Sequence, residues 1–398
     1  MSLRVLSIST LFPNPVKPAF GKFVANQMGG IAKAGGVDLV MVNPIGLPPF
    51  PLNRREPYRT LGACPDTSQL GTLAVHHPRF TLVPVVGGDS NPGRMARAVL
   101  PLARRLHAQQ PFDLVDAQFF FPDGPAAAII ARELGLPLTI KARGSDIHYW
   151  GTRPKALKQM RKAASQAARI LTVSAALGRD MAALGFPDDR ILVHYTGLDR
   201  HKFRVTPRAD ARRQLAPLLG LDIPASAPLI VTPGALIAIK GQKFAIGALT
   251  HLPGAHLALA GSGGDEAELR EMANQVGLAS RVHFLGQISH DSLPVLMSAA
   301  DAVVLPSERE GLANVWIEAL ACGAPLVIPD IGGAAEVVRN PSAGRLAERS
   351  AAAIAAALQE IWITPPDQTA VAANVATFSW DANAAQLLAI WQEAAQQR

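Results

Sequence analysis

The chain has 398 residues, so two domains of roughly 150–200 residues each are expected rather than a single core. Apolar residues make up 49% of it and charged residues 17%, a balance that excludes an intrinsically disordered protein. The formal net charge is +7, and the first 200 residues contain 24 Lys and Arg against 13 Asp and Glu. This basic first half predicts an acidic partner, such as phosphate groups or an anionic membrane surface.

The cysteines and the N-terminus predict the compartment. Cys64 and Cys322 lie far apart and fit no metal-ligand spacing, so we expect two free thiols in a reducing environment. The first residues lack a cleavable signal pattern, and no apolar run reaches the roughly 18 residues of a membrane span. We therefore expect a cytoplasmic protein, with peripheral attachment to the inner membrane as an open alternative.

Strands and helices alternate along the first half of the chain. The predicted strands are residues 4–9, 37–42, 113–118, 138–141 and 170–173. The longest predicted helices are 93–109, in which Pro101 is a candidate kink, and 154–168. Alternation of this kind predicts a parallel sheet with helices on both faces.

A second alternating series follows a segment that is charged at first and then rich in Pro and Ala. Residues 199–228 show no strand pattern, and we interpret them as the connection between two domains. The later predicted strands are 229–232, 256–260, 282–284, 302–305 and 325–328, and the last predicted helix is 380–396. Two doubly wound domains would each bind a ligand beyond the carboxyl ends of their strands.

The stretch 307–336 carries the clearest chemistry. Glu310 precedes a glycine in a loop after an apolar strand, and Glu318 lies about one turn into the helix that follows. Helix N-termini bind phosphate through free N–H groups and the positive end of the dipole. A nucleotide diphosphate there would place Glu318 near ribose hydroxyls and Glu310 near a sugar. The alternative is a solvated loop glutamate and an unrelated helix-face glutamate.

The motifs in this stretch and along the rest of the chain resemble those of family 4 retaining glycosyltransferases, which have the GT-B fold. The segment from Glu310 to Pro325 is similar to the donor motif of that family. Residues 12–27 look like its first glycine loop, and 143–147 look like its central motif in the first domain. Further landmarks match in order at 174, 197–203, 234–241, 261–263, 284–286, 306–307 and 332–336.

The resemblance implies an α/β protein of two Rossmann-like domains facing a central cleft. The implied domains are 1–198 on the acceptor side, 199–375 on the nucleotide-sugar side, and a last segment, 376–398, that packs back on the first domain. It also implies catalytic roles for Lys240, Glu310, Asp146 and Arg143. The implied donor-binding residues are Gly21, Gly234, Lys240, Gly261, Gly263, Gly286, Glu310, Gly311, Leu312, Ala313, Asn314 and Glu318.

Lys240 is expected to stabilise the charge of a leaving nucleotide diphosphate. Two roles are open for Asp146: it could hydrogen-bond to the sugar, or it could cap the following helix. Many relatives carry an arginine where this chain has Ala235, so either a second cation comes from elsewhere, with Arg143 and Arg309 as candidates, or the site uses one cation. Some relatives have a histidine at the position of Arg143, and that histidine is therefore missing.

The predicted reaction needs neither metal nor cofactor. No Asp-x-Asp occurs in the chain, and such carboxylates commonly hold the cation of metal-dependent transferases. We expect retaining transfer of a sugar to a glycan or lipid-linked acceptor in surface-polysaccharide synthesis, with no nucleic-acid partner. Two alternatives stay open. One is a sugar-nucleotide epimerase of the same architecture, and the other is a binding module without catalysis.

Two helices carry basic faces that could contact an anionic membrane. Lys155, Lys158 and Lys162 recur at helical spacing in the helix 154–168, with Arg169 just beyond it. The helix 93–109 repeats the pattern with Arg94, Arg97, Arg104 and Arg105. The alternative is that both faces are simply solvated.

Overall fold

A computed structural model of the chain describes residues 2–83 and 85–397, and it divides into two compact units. Unit 1 contains Met1–Gly197 together with Trp380–Arg398, and unit 2 contains Leu198–Ser379. Each unit is built around its own sheet. The predicted α/β class, with a parallel sheet in each of two domains, is confirmed.

Unit 1 has an eight-stranded sheet with the strand order β10-β9-β8-β7-β1-β2-β5-β4, in which every pair is parallel except β4 with β5. A separate parallel pair consists of β3 and β6. The strands are Leu3–Ile8 (β1), Val37–Val42 (β2), Ile45–Leu47 (β3), Thr67–Leu70 (β4), Leu73–His76 (β5), Arg79–Thr81 (β6), Leu114–Ala117 (β7), Leu138–Ala142 (β8), Arg169–Thr172 (β9) and Ile191–Val193 (β10).

Seven helices of unit 1 follow these strands in sequence among the described residues. They are Lys22–Ala34 (α1), Tyr58–Gly62 (α2), Asn91–Gln109 (α3), Asp123–Leu134 (α4), Ser145–Trp150 (α5), Pro154–Ala164 (α6) and Ala175–Ala183 (α7). The central strands are buried along their whole length, as expected for parallel strands covered on both faces.

Unit 2 has a six-stranded parallel sheet with the order β13-β12-β11-β14-β15-β16. Its strands are Leu229–Pro233 (β11), His256–Ala260 (β12), Val282–Gly286 (β13), Ala302–Val304 (β14), Leu326–Ile328 (β15) and Gly344–Leu346 (β16). Its helices are Arg208–Leu219 (α8), Gln242–Ala248 (α9), Glu266–Gln275 (α10), Leu293–Ala299 (α11), Asn314–Ala321 (α12), Ala334–Val337 (α13), Ala351–Ile363 (α14) and Gln368–Ala373 (α15).

The last helix, Trp380–Ala395 (α16), returns to unit 1 and packs against α1. Ala384, Leu387 and Trp391 join the apolar core there, and Trp391 is fully buried. The indole Nε1 of Trp391 donates to Asp116 at 3.2 Å, so the helix is held by a polar contact as well as by apolar burial.

The structure differs from the predicted elements in several helices and strands. Helix α8 lies inside the segment 199–228, which the sequence predicted only as a connection. Helix α3 continues through Pro101 without a break, and α6 ends at Ala164 instead of 168. The short strands β3 to β6, β10 and β16 were not predicted, because each is partly exposed and lacks the continuous buried apolar run of the central strands. The last helix, Trp380–Ala395, agrees with the predicted helix 380–396 within one residue.

Among the described residues, no helix combines the length and the apolar character that crossing a membrane requires.

Candidate functional site

The strand order of unit 2 reverses between β11 and β14. From β11 the chain proceeds to β12 and β13 on one side, and β14, β15 and β16 follow on the other side. Open α/β sheets bind ligands at such a switch point, beyond the carboxyl ends of the strands. A pocket of about 580 Å³ lies there, lined by residues that directly follow β11, β12, β13 and β14.

Lys240 and Glu310 face each other in this pocket. Lys240 ends a short 3-10 turn after β11, and Glu310 lies in the loop after β14, so the two strands beside the switch point each contribute one charge. The ammonium and the carboxylate form an ion pair at 2.5 Å, with 29% and 16% of their side chains exposed. A ligand with negative charge would compete with Glu310 for the ammonium.

Glycines allow the pocket walls to approach closely. Gly261 has φ +154°, and a Cβ there would lie 1.9 Å from the carbonyl oxygen of Gly234. A Cβ on Gly263 would lie 2.1 Å from the carbonyl oxygen of Leu236. Gly234 has φ +141° with open space around it, which suits a wall against which a ligand packs. Gly286 ends β13, and its carbonyl accepts from the amide of Gly261 at 2.8 Å.

The loop that carries Glu310 is fixed from a neighbouring loop. The amide of Gly333 donates to the carbonyl oxygen of Gly311 at 2.7 Å. A Cβ on Gly332, where φ is +50°, would lie 2.1 Å from the carbonyl oxygen of Glu310. Leu312 is buried at 7% exposure and anchors the same loop to the core. These contacts hold Glu310 in place opposite Lys240.

Helix α12 begins at the pocket. Ala313 precedes its first turn, and Ala313 and Asn314 both line the pocket. The unpaired amides and the positive dipole end of a helix favour an anion. The N-terminus of α12 and Lys240 therefore both favour binding of an anion in this pocket. Among the described residues, no group of three His, Cys, Asp or Glu side chains could hold a metal ion.

Glu318 lies one turn further along α12 and is not among the described residues that line the pocket. Burial raises the pKa of its carboxyl group to about 7, and the positive charge of Lys202 opposes that shift. A carboxyl group kept protonated near neutral pH can both donate and accept a hydrogen bond.

The pocket also contains residues that the sequence did not indicate. Gln287, Ser289 and His290 come from the loop after β13, and the Nε2 atom of Gln287 donates to Ser262 Oγ at 2.9 Å. The only signal for them was their position at the end of a predicted strand. Ala235, which stands where many relatives have an arginine, lines the pocket. Arg309 is half exposed, and its Nε lies 3.8 Å from the carboxylate of Glu308.

The remaining predicted site residues lie in unit 1, whose strand order reverses between β1 and β7. Gly21 precedes α1 with φ +67°, and a Cβ there would lie 2.5 Å from the carbonyl oxygen of Leu11. Any other residue would therefore displace the loop after β1. This loop and α1 stand at the switch point of unit 1, the position at which such sheets bind ligands.

Arg143 lies between β8 and α5, and Asp146 lies in the first turn of α5. The carboxylate of Asp146 is fully buried and accepts from the amides of Phe120, Arg143, Gly144 and Ile147 at 2.7 to 3.1 Å. Burial raises the pKa of Asp146, and these donors oppose that shift. These four bonds hold the turn between β8 and α5, and the catalytic role of Asp146 stays a prediction. His148 pairs with Asp180 at 3.0 Å.

Two family models match the chain. The Glycosyl transferase 4-like domain matches residues 24–197, and Glycosyl transferases group 1 matches residues 220–378. A Bacillus subtilis protein named teichuronic acid biosynthesis glycosyltransferase TuaC is 27% identical over 371 residues, 90% of each chain. The GDP-mannose-dependent alpha-(1-6)-phosphatidylinositol monomannoside mannosyltransferase of Mycobacterium tuberculosis is 27% identical over 80% of this chain and 82% of its own.

Solved structures share the fold. Sucrose-phosphate synthase from Thermosynechococcus elongatus superposes with a TM-score of 0.77 at 20% identity, over 98% of both chains. HepE from Anabaena, in complex with UDP, superposes with a TM-score of 0.69 at 22% identity, over 99% of both chains. At these identities the likeness concerns the arrangement of the elements.

Proposed function

We propose, from the premise that this chain belongs to the family 4-type glycosyltransferases with the GT-B fold, that its donor is a nucleotide-diphosphate sugar bound in the pocket of unit 2. The Lys240–Glu310 pair carries this proposal, because a cation beside a helix N-terminus suits a diphosphate and an adjacent carboxylate suits sugar hydroxyls. The Anabaena relative bound to UDP supports the same ligand class.

The expected chemistry is stabilisation of the leaving group. As the bond from the sugar to the diphosphate breaks, negative charge grows on the phosphate oxygens. Lys240 then exchanges its bond to Glu310 for a bond to the diphosphate, and the amides that begin α12 support the same charge. Glu310 is released to accept hydrogen bonds from the transferred sugar, which fixes the sugar for attack.

The acceptor attacks from the same face that the leaving group vacates, which retains the anomeric configuration. The leaving phosphate takes the proton of the acceptor hydroxyl, so the protein needs no strong nucleophile. The acceptor is a glycan or lipid-linked intermediate of surface-polysaccharide synthesis. The name of the Bacillus relative and the lipid substrate named for the mycobacterial relative support this acceptor class.

A thermal-shift screen against the common nucleotide sugars tests the donor. A ligand present at 100 times its Kd adds about 2.7 kcal/mol to the free energy of unfolding. We expect at least one nucleotide sugar to stabilise the wild type, and Lys240→Ala to reduce this shift. Lys243→Ala is the matched control, since Lys243 is exposed on the next turn. No shift with any nucleotide sugar would contradict the proposed donor class.

The reaction type is tested by following the released nucleotide. Transfer predicts that nucleotide diphosphate accumulates in the presence of an acceptor glycan and not without it. An epimerase would convert the donor with no acceptor, and a binding module would release nothing under either condition.

A further inference from the structure

A chain of hydrogen bonds crosses the core of unit 1 at its switch point and ends at the guanidinium of Arg143. It passes through Gln27 on α1, Gln118 after β7, Lys141 in β8 and His194 after β10. These four side chains are buried at 1% exposure or less. Burying so many polar groups is unfavourable unless each has a partner, so the direction of every bond matters.

The groups at the two ends of this chain of hydrogen bonds fix which atom donates in each bond. A guanidinium only donates and a backbone carbonyl only accepts. Arg143 donates from Nη2 to Gln118 Oε1 at 2.6 Å and from Nε to the main-chain carbonyl of Gln118 at 2.7 Å. At the other end, His194 Nε2 lies 2.9 Å from the carbonyl oxygen of Asn383 on α16 and must donate to it.

The orientation of both amides follows. Because Gln118 Oε1 faces Arg143, the amide nitrogen of Gln27 donates to that same oxygen at 2.7 Å. Gln118 in turn donates from Nε2 to Asp116 at 2.7 Å, which agrees with this orientation. Gln27 Oε1 is therefore an acceptor that faces away from Gln118, toward Lys141.

Lys141 connects Gln27 with His194 and so links the two ends of this chain of hydrogen bonds. Its Nζ lies 3.0 Å from Gln27 Oε1 and 2.6 Å from His194 Nδ1, and both of these atoms need a donor. Burial lowers the pKa of Lys141 well below its usual value, and it also lowers the pKa of His194. A neutral amine has two N–H groups, which equals the number of acceptors that face it.

We propose that Lys141 is a positioning residue that fixes Gln27 and Gln118 and thereby aims Arg143 at a phosphate group of a substrate. Arg143 is partly exposed, and its guanidinium also lies 5.0 Å from the ring of Phe23. No hydrogen bond from a described residue occupies its Nη1. A guanidinium held on one side presents its free edge in a fixed geometry, which suits phosphate oxygens.

The inference rests on the proposed function, because that function brings phosphate groups to the protein. The phosphate belongs either to the nucleotide diphosphate of the donor or to a lipid-linked acceptor.

Nitrogen-15 spectra of the arginine side chains in the full chain provide the test. The Nε–H of Arg143, identified by its loss in Arg143→Lys, should exchange slowly with water because it is bonded to the Gln118 carbonyl. Lys141→Met should raise that exchange rate on the order of tenfold or more. Lys158→Met is the matched control, since Lys158 is exposed, and it should leave the rate unchanged. If Lys141→Met does not fold, Gln27→Leu breaks the same chain and should give the same increase.

Ligand titrations identify the phosphate source. A shift of the Arg143 resonance with a nucleoside diphosphate assigns the donor, and a shift with an alkyl phosphate assigns the acceptor. No shift with either, in protein whose donor pocket binds in the thermal screen, would overturn the assignment of Arg143 and leave the proposed donor site standing.

A double-mutant cycle on transfer separates positioning from stability. Lys141→Met should raise KM for the phosphate-bearing substrate in the wild-type background and change it less than twofold in the Arg143→Ala background. Equal effects in both backgrounds, or an unchanged Arg143 exchange rate, would reduce Lys141 to a structural residue and overturn the proposal.

Discussion

Lys240 is the residue at which the leaving-group role can be measured most directly. Lys240→Ala should lower kcat by about 10²–10³, the usual result of removing one preorganised charge-stabilising contact. Lys243→Ala should retain wild-type kcat, because Lys243 is exposed beside Phe244. The measurement is steady-state turnover at saturating donor. A kcat within threefold of wild type would show that Lys240 does not contact the leaving group.

Glu318 predicts a pH-dependent stability. In the unfolded chain its carboxyl ionises near the usual pKa of 4.5, whereas in the fold it keeps its proton up to about pH 7. The folded state therefore binds more protons between these values, and the free energy of unfolding falls as pH rises through them. Glu318→Gln should be more stable than wild type by on the order of 1–3 kcal/mol at about pH 8, and by much less at about pH 5. Denaturant titrations at both pH values measure this difference.

The same residue predicts a loss of binding. If Glu318 contacts ribose, Glu318→Ala should weaken donor binding more than it slows turnover of bound donor, because such contacts are similar in the ground and transition states. Calorimetry measures the affinity. Unchanged donor affinity would show that Glu318 supports α12 without touching the donor.

The sequence indicated the charged residues of unit 2 but missed most polar residues of unit 1. Glu310 and Lys240 could be predicted because each follows a predicted strand and belongs to a motif that resembles one of the family. Gln27, Gln118 and His194 come from three distant segments, and only the sheet order brings them together. The signal that could have indicated this network was Lys141 inside an apolar strand, since a charged residue buried in a sheet needs partners.

At the level of elements, the packing of α16 depends on Gly197. A Cβ on Gly197 would lie 2.2 Å from the indole ring of Trp380, so Gly197→Ala must displace the start of the helix. We expect a loss of about 1–3 kcal/mol, the usual result of overpacking. Gly29→Ala is the matched control, because its Cβ would enter open space within α1. It should be neutral or stabilising by up to about 1 kcal/mol. Equal stabilities of the two variants would contradict the contact.

The basic face of α6 predicts reversible attachment to anionic membranes. Lys155, Lys158 and Lys162 are exposed, while Ala156 and Met160 on the other face are buried. Each exposed cation near an acidic surface contributes on the order of 1 kcal/mol, and the attraction is screened by salt. Replacing the three lysines by glutamate should abolish co-sedimentation with acidic vesicles at low salt. Equal binding to neutral vesicles, or none at low salt, would favour a solvated face.

Charge reversal elsewhere controls for a general effect of net charge. Arg213, Lys243 and Arg339 are exposed on unit 2, and replacing all three by glutamate changes the net charge by the same amount. This variant should still bind acidic vesicles. If it loses binding as well, α6 has no special role.

The buried central strands were predictable, and the partly exposed short strands were not. The strands at the centre of both sheets consist of apolar runs bounded by turn residues, and their predicted bounds agree with the structure within about two residues. Helix α8 was hidden because its sequence is mostly Arg, Ala and Leu with Pro217 inside, and its buried face consists of only Ala211 and Leu215. A stripe that narrow gives almost no periodic signal.

For the whole molecule, the proposed mechanism predicts activity without added metal. A lysine and helix amides would neutralise the leaving diphosphate, so transfer should survive EDTA. Turnover measured before and after chelation, and again after Mg²⁺ or Mn²⁺ is restored, decides this. Loss on chelation with recovery on adding metal would contradict the mechanism.

The return of α16 to unit 1 has a consequence for biosynthesis. Met28, Ile31 and Val24 on α1 share an apolar cluster with Leu387 and Trp391, which the ribosome adds almost 200 residues after β10. During translation, the first 197 residues therefore emerge with the apolar face of α1 uncovered. Unit 2 is contiguous in sequence and can fold before α16 is made. The nascent chain should consequently recruit chaperones that bind apolar segments until its final helix leaves the exit tunnel.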